Sequence, residues 1–434
     1  MAGAESNGAA AADGGRRRHV LLFPLPYQGH INPMFRLAGV LHARGFAVTV
    51  FHTHLNAPDP ARHPEYRFVP VPDGTSSGAA AVEGIAARIL ALGAACAPAF
   101  RDRLAAVLEE YSRDAVACLV ADAHWLPMVE VSTRLAVPTL ALRTGSAACF
   151  AGFLAYPMLC DKGYLPVQES ELDTPATTRC AAAVKASSGL ILNTFDALER
   201  RELADLRRDL AVPVFDVGPL HRFSPAAGSS LLRQDRSCLE WLDAMPPASV
   251  LYVSFGSLAC MTPRDLAETA WGLAGSGVPF LWALRPGMVH GRSHHRLPEG
   301  FEAAARGRGV VVEWAPQEEV LRHRAVGGFW THNGWNSTTE SVGEGVPMLC
   351  RPCFGDQMVN AMYVEHVWGV GFEARGELER GSVEAAIRRL MADGDGAEMR
   401  ARAGELKEAA AECTGEGGPS RLAVEKLVTH IMSL

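Results

Sequence analysis

The most restrictive feature of this chain is an opening that it uses twice. From His19 the sequence runs HVLLFPLPYQGHINPMFRLAGVLHARGFAVTVFHT: a short apolar run, a Pro/Gly loop, helical periodicity, a glycine stop and a second apolar run. Leu37, Val40, Leu41 and Arg44 recur at helical spacing, Gly45 suits the position after a helix C-terminus, and Phe46 to Phe51 is β-branched and aromatic. Strand, loop, helix and strand in that order close as a right-handed βαβ unit on a parallel sheet. The same order returns at Ser249, where SVLYVSFGSL passes through a polar turn into TPRDLAETAWGLAGSG and then VPFLWALRP. There Thr262 suits an N-cap, Pro263 the first helical position, and Gly275 and Gly277 a helix stop. The expected fold is α/β, with two Rossmann-like doubly wound domains facing across a cleft and ligands at the carboxyl ends of strands from both.

At roughly 150 residues per domain, the 434 residues allow two or three domains. Residues 219–248, where Pro, Gly and Ser cluster and hydrophobic periodicity fades, read as a linker. The expected boundaries are a disordered tail over 1–18, a first domain over 19–218, the linker over 219–248, a second domain over 249–415 and a terminal helix over 416–434.

With 41 Lys+Arg against 48 Asp+Glu, the chain has no basic excess to neutralise phosphates, so nucleic acid is not an expected partner and small molecules are. The ten cysteines are scattered through apolar stretches rather than densely spaced, which fits a reducing, cytoplasmic setting. Cys350 and Cys353 form a CxxC without a second pair or a histidine at ligand spacing, so no metal is expected there. The apolar run from Val20 to Leu25, stopped by Pro26, falls far short of the ~18 residues of a membrane-spanning helix, and no integral membrane association is expected. In the tail, Glu5 and Asp13 argue against a transit peptide despite Arg16, Arg17 and Arg18.

Three local motifs fail their context. Gly74-Thr75-Ser76-Ser77-Gly78 matches the GxSxG of a hydrolase nucleophile elbow, but Pro70 and Pro72 just before it disfavour the central strand that an elbow needs. Asp393-Gly394-Asp395 reads as a turn between helices, and His294-His295 as a solvated loop pair. No GxGxxG follows a strand, which leaves a nicotinamide enzyme unsupported.

The stretch from Trp314 to Gln357 carries the chemistry. Val326 to Thr331 is a short strand, His332-Asn333-Gly334 a tight turn, and Trp335 to Val342 a helix reaching Gly343. The unpaired N–H groups and positive dipole end at the start of that helix favour a diphosphate. Asn336 and Glu340, four residues apart, share one face and can place an amide near phosphate and a carboxylate near a sugar diol. The following strand, GVPMLC, delivers Asp356 and Gln357 past its carboxyl end, a pair suited to sugar hydroxyls.

This block, with WAPQ at its start, HNGWNS at its centre and DQ at its end, resembles the signature of plant UDP-dependent glycosyltransferases of family 1. PYQGHINPM near the amino terminus and the SFGS from Ser254 to Ser257 resemble further motifs of that family, and the likeness runs from about His19 to the end. The ADAH at 121–124 and TGS at 144–146 look closest to its benzoxazinone and cytokinin glucosyltransferase branch. The resemblance implies a GT-B fold whose terminal helix returns to the first domain. It implies a hexosyltransferase that needs no metal or resident cofactor, takes UDP-glucose as co-substrate, and acts as a monomer. Trp314 would stack on uracil, with Ala315 and Gln317 at its edge. His332, Trp335, Asn336, Ser337 and Ser257 would surround the diphosphate, Glu340 would bind the ribose, and Asp356 and Gln357, with Thr144, would hold the sugar.

His30, in the loop after the first strand and before a helix whose start is marked by Asn32 and Pro33, is the expected general base. A helix amino terminus disfavours an added positive charge and helps keep the imidazole neutral. Asp122 ends the apolar run from Ala117 and is placed to orient it and to stabilise the imidazolium; the resemblance puts the catalytic pair at these two positions. Tyr27, His124, Cys149, Phe153 and Phe354 are candidate acceptor lining, which suits a flat aromatic or terpenoid-sized molecule. Against the family pattern, the stretch from Leu165 to Val184 is short by a few tens of residues. That shortening makes a UDP-sugar binder with impaired transfer the main alternative, ahead of a serine hydrolase built on Ser76.

Overall fold

The computed structural model describes residues 17–74, 84–164, 174–224, 230–290, 296–392 and 394–434. The GxSxG serine Ser76, His294-His295, Asp393 and the tail to residue 16 lie outside them.

The first sheet is built from β1 (His19–Phe23), β2 (Ala47–Thr53), β3 (Arg67–Val71), β4 (Val116–Asp122), β5 (Thr139–Arg143), β6 (Leu190–Leu192) and β7 (Val214–Asp216). Its order is β3-β2-β1-β4-β5-β6-β7, parallel throughout. The second sheet contains β8 (Val250–Ser254), β9 (Phe280–Ala283), β10 (Gly309–Val312), β11 (Val326–Thr331), β12 (Met348–Cys350) and β13 (Gly371–Glu373). Its order is β10-β9-β8-β11-β12-β13, again parallel.

Parallel sheets are covered on both faces, and alternate residues of each central strand feed opposite cores. Val20 and Leu22 pack with the helix Gln28–Ala43, while Leu21 and Phe23 pack with the helix Ile85–Tyr111. In the second sheet Val250 and Tyr252 serve one core, Leu251 and Val253 the other. Pro70 lies within β3, where it is tolerated because β3 is an edge strand. Thr262 and Asp265 form a reciprocal capping box at the helix Pro263–Ser276, which Gly277 ends in a left-handed conformation.

Two local readings need correction. The helix after β1 starts at Gln28, not at Asn32, so His30 sits in its first turn and Pro33 lies inside it. Pro33 has no N–H to give the Gly29 carbonyl four residues back; that oxygen accepts from Asn336 Nδ2 of the second domain at 2.8 Å. Within 219–248, the helix Ser237–Asp243 buries Cys238 and Leu242 in a core of the second domain. Seven residues are too few for periodicity to reveal a helix.

The last helix, Pro419–Ser433, packs on the first domain although it follows the second in sequence. Ala423, Val424, Leu427 and Ile431 join the core around β1, and His430 Nε2 lies 2.9 Å from the Ser188 carbonyl. Among the described residues no helix is long and apolar enough to cross a membrane.

Candidate active site

In both sheets the strand order reverses at the centre, between β1 and β4 in the first and between β8 and β11 in the second. Loops leaving the carboxyl ends of such neighbouring strands diverge to opposite faces and leave a crevice. The two crevices face each other across a cleft of about 1800 Å³. Apart from Asp122, every residue expected at the site lines it.

Asp122 ends β4, fully buried behind His30. Its Oδ2 is 2.7 Å from His30 Nδ1, and its Oδ1 is 3.1 Å from His124 Nδ1 and accepts from the His124 backbone N–H at 3.0 Å. Burial alone would raise the Asp122 carboxyl, but His30 and His124 together hold it well below the usual carboxylate range. An ionised Asp122 fixes the His30 proton on Nδ1 and leaves Nε2 as the bare nitrogen. Thr144, expected against the sugar, has Oγ1 2.9 Å from His30 Nδ1. The ligating atoms of His30, Asp122 and His124 lie within 4.8 Å of one another, a spacing that could also hold a cation.

Across the cleft, the helix Trp335–Glu344 begins after the Asn333-Gly334 turn, and its first internal bond is donated by Thr338 to the Gly334 carbonyl. The backbone N–H groups of Trp335, Asn336 and Ser337 therefore remain for an anion. His332 is slotted between two glycines: a Cβ on Gly256 or on Gly334 would sit 2.5 Å or 2.6 Å from its Nε2. Burial, helped by Arg285, lowers its pKa to about 4, so the imidazole is neutral. Gln317 starts the helix Gln317–Arg322 and donates to Ser337 Oγ at 3.0 Å and Glu340 Oε2 at 2.7 Å. Ser257 and Ala315 border the same space, and Trp314 is held edge-on by its Nε1 donating to Ser230 Oγ at 3.1 Å.

Trp335 behaves differently from a ligand-facing residue. Its indole is 3% exposed, packs in the second core, and donates from Nε1 to the Asn193 carbonyl of the first domain at 2.9 Å. Its side chain is therefore held by protein, and its backbone N–H stays open at the helix start. Gln357 spends its Oε1 on the Cys353 and Phe354 backbone N–H groups, at 2.8 and 3.1 Å, so its remaining polar end is a donor. Asp356 is half-buried beside it and accepts from Asn360 Nδ2 at 3.2 Å.

Tyr27, His124, Cys149, Phe153 and Phe354 also border the cleft, and Tyr27 and Cys149 are at the same time buried members of the wall. Two arginines at the site were not anticipated. Arg36, in the helix Gln28–Ala43, is 1% exposed; it donates to Glu340 Oε1 at 2.7 Å and to Glu318 of the second domain. Arg143 ends β5 next to Thr144. Arg36 lies on an apolar helix face in sequence, a position where a charge signals a buried partner, but the partners stand far along the chain.

Two doubly wound parallel domains facing each other across a cleft form the GT-B architecture of glycosyltransferases. The family described as UDP-glucoronosyl and UDP-glucosyl transferase matches residues 234–400. The chain is 48% identical to DIMBOA UDP-glucosyltransferase BX8 of Zea mays, over 95% of this chain and 98% of that one. It is 40% identical to UDP-glycosyltransferase 76B1 of Arabidopsis thaliana, over 95% and 98%. The crystal structure of Os79 from O. sativa in complex with UDP superposes with a TM-score of 0.83 at 28% identity, covering 95% of this chain and 100% of that one. The chain belongs to the plant UDP-dependent glycosyltransferases of family 1, near the benzoxazinone branch. The alignment with the maize relative runs over 451 positions whereas this chain has 434 residues in all, so the relative carries additional residues inside the matched stretch.

Proposed function

We propose that this enzyme moves glucose from UDP-glucose to a hydroxyl of a small lipophilic plant metabolite, with inversion at the anomeric carbon. The observation that carries the reading is the His30–Asp122 pair, 2.7 Å apart, facing the open start of the helix Trp335–Glu344 across the cleft. His30 Nε2 takes the acceptor proton, the acceptor oxygen bonds to C1 of the sugar, and the C1–O bond to UDP breaks with its electron pair leaving on the diphosphate. General-base help supplies about 10²- to 10⁴-fold, and the helix N–H groups and dipole receive the leaving charge. Asp122 holds the tautomer and stabilises the imidazolium. On the donor side Trp314 faces the uracil, Glu340 the ribose, and Asp356 with the Gln357 amide the glucose. The first domain, 19–218, then serves the acceptor and the second, 249–415, the donor.

The test is UDP release from UDP-glucose against phenolic, benzoxazinoid, cytokinin and terpenoid acceptors, with UDP binding followed by calorimetry. Acceptor-dependent release is expected, together with loss of transfer and near-normal UDP binding in His30→Ala. Unchanged turnover in that variant removes His30 from the mechanism. One observation favours the second reading, a UDP-sugar binder with impaired transfer: Met158 and Tyr164, beside the shortened stretch, are exposed apolar side chains. UDP binding without release against every acceptor would establish it.

A further inference from the structure

Arg285 follows β9, is 8% exposed and stands outside the lining of the cleft, behind the loop 255–260 that leaves β8. Its Nε donates to the Gly256 carbonyl at 3.1 Å, and its Nη2 to the Ala259 carbonyl at 2.6 Å and to Cys260 Sγ at 3.5 Å. Nη1 donates to the Pro286 carbonyl at 3.2 Å. Backbone bonds keep the two segments in register: the Met261 N–H donates to the Met288 carbonyl at 2.9 Å, and the His290 N–H to the Met261 carbonyl at 3.1 Å. The guanidinium is thus a clamp on both ends of the turn that carries Ser257. Its acceptors are three backbone carbonyls and one sulfur, and among the described residues no carboxylate forms an ion pair with it.

On the cleft side of the same loop stand Ser257 and His332, two of the groups expected around the diphosphate. Gly256, at φ +71, lets the loop lie directly against the His332 ring. His332 is neutral, so it brings hydrogen-bonding capacity and no charge to that wall; Arg285 acts on it across the loop, and no carboxylate offsets that charge there. The start of the helix Trp335–Glu344 adds only about half a unit of positive charge. A departing nucleoside diphosphate carries more negative charge than a neutral imidazole and one helix terminus can balance, and Arg285 is the full unit charge behind this wall.

We propose that Arg285 is a positioning residue that clamps the loop 255–260 against the leaving diphosphate and supplies, from behind that loop, the formal positive charge that favours its departure. The proposal rests on the transferase reading and assigns the charge on its leaving-group side. Arg285 touches neither sugar nor phosphate. It fixes Ser257 and the wall of His332 in advance, so that no reorganisation is needed as charge develops on the diphosphate.

The test measures dissociation constants of uridine and UDP, which share base and ribose and differ in the diphosphate, for the native chain, Arg285→Gln and Arg285→Lys. Arg285→Gln keeps a neutral hydrogen-bond donor, whereas Arg285→Lys keeps the charge and loses the fork. The glutamine variant should leave uridine binding unmoved and weaken UDP about tenfold, the effect of one charge acting through several ångströms of protein. The lysine variant should recover most of the native ratio. A lysine variant no better than the glutamine variant, or uridine and UDP weakened by the same factor, overturns the proposal and leaves Arg285 as a structural clamp alone. Should the glutamine variant fail to fold, the lysine variant decides by itself: a ratio near the native one sustains the role of the charge, and a lost ratio ends it. Both constants are read without an acceptor, so UDP binding with no transfer to any acceptor undoes the transferase reading while the ratio still decides Arg285. A native chain that holds UDP no more tightly than uridine removes the diphosphate site and the proposal with it.

Discussion

Replacing Arg36 with Met tests whether the first domain holds part of the donor site in place. The guanidinium is 1% exposed and joins Glu340, itself 3% exposed, to Glu318. Removing it leaves one oxygen of a buried carboxylate with no cation and brings two acidic groups together without a mediator, while Gln317 still holds the other oxygen. Breaking a buried pair from one side costs about 3–5 kcal/mol, and that is the loss of unfolding free energy expected for Arg36→Met in urea. Because Glu340 is the residue proposed to bind the ribose, UDP affinity should fall about tenfold, one charge-assisted hydrogen bond. Arg36→Met with Glu318→Gln and Glu340→Gln should recover much of the stability, since neutral replacements remove the orphaned charge. The double-mutant cycle of Arg36→Met and Glu340→Gln should show coupling of about 2 kcal/mol or more. Additive effects, or a loss below about 1 kcal/mol as for a surface pair, would refute the reasoning.

His332 predicts a pH dependence. Its pKa is lowered in the folded chain from 6.5 to about 4, so the native state binds fewer protons than the unfolded state in that window. The stability it contributes is present above pH 6.5 and is lost as pH falls towards 4, by up to about 3 kcal/mol; His332→Asn should flatten that part of a stability-against-pH curve. Asn336→Ala should cost about 0.5–1 kcal/mol, the net value of the hydrogen bond it gives the Gly29 carbonyl. The same change should cost less in a Pro33→Ala background, where residue 33 regains the N–H that Gly29 lacks; equal costs in the two backgrounds would disprove the link.

The strand-loop-helix grammar at His19 and Ser249 was readable because a parallel βαβ unit writes its period changes and stops locally. So were the strand, turn and helix start between Val326 and Gly343, whose residues sit within one stretch of chain and which the structure brings to the cleft. Asp122 stands at the end of an apolar run, but His30 lies beyond the end of another, and only the family resemblance joined the two as a pair; the structure puts them 2.7 Å apart. What local pattern cannot show is partnership across the cleft. Arg36 finds its carboxylates, Trp335 its carbonyl acceptor and Asn336 the Gly29 oxygen only once the domains face each other. The start of the helix at Gln28 was misplaced for the same reason: the proline that would open an isolated helix is tolerated inside this one because a side chain from the other domain serves the freed carbonyl.

That tolerated proline also limits how such enzymes can be recombined. A hybrid made by joining the first half of one family member to the second half of another must carry a matched set: an amide at position 336 wherever residue 33 lacks its donor, and a carboxylate at 340 wherever residue 36 is an arginine. Mismatched halves would present an unserved carbonyl or a stranded charge at the seam, so the compatible parents are those that agree at these four positions, whatever their overall identity.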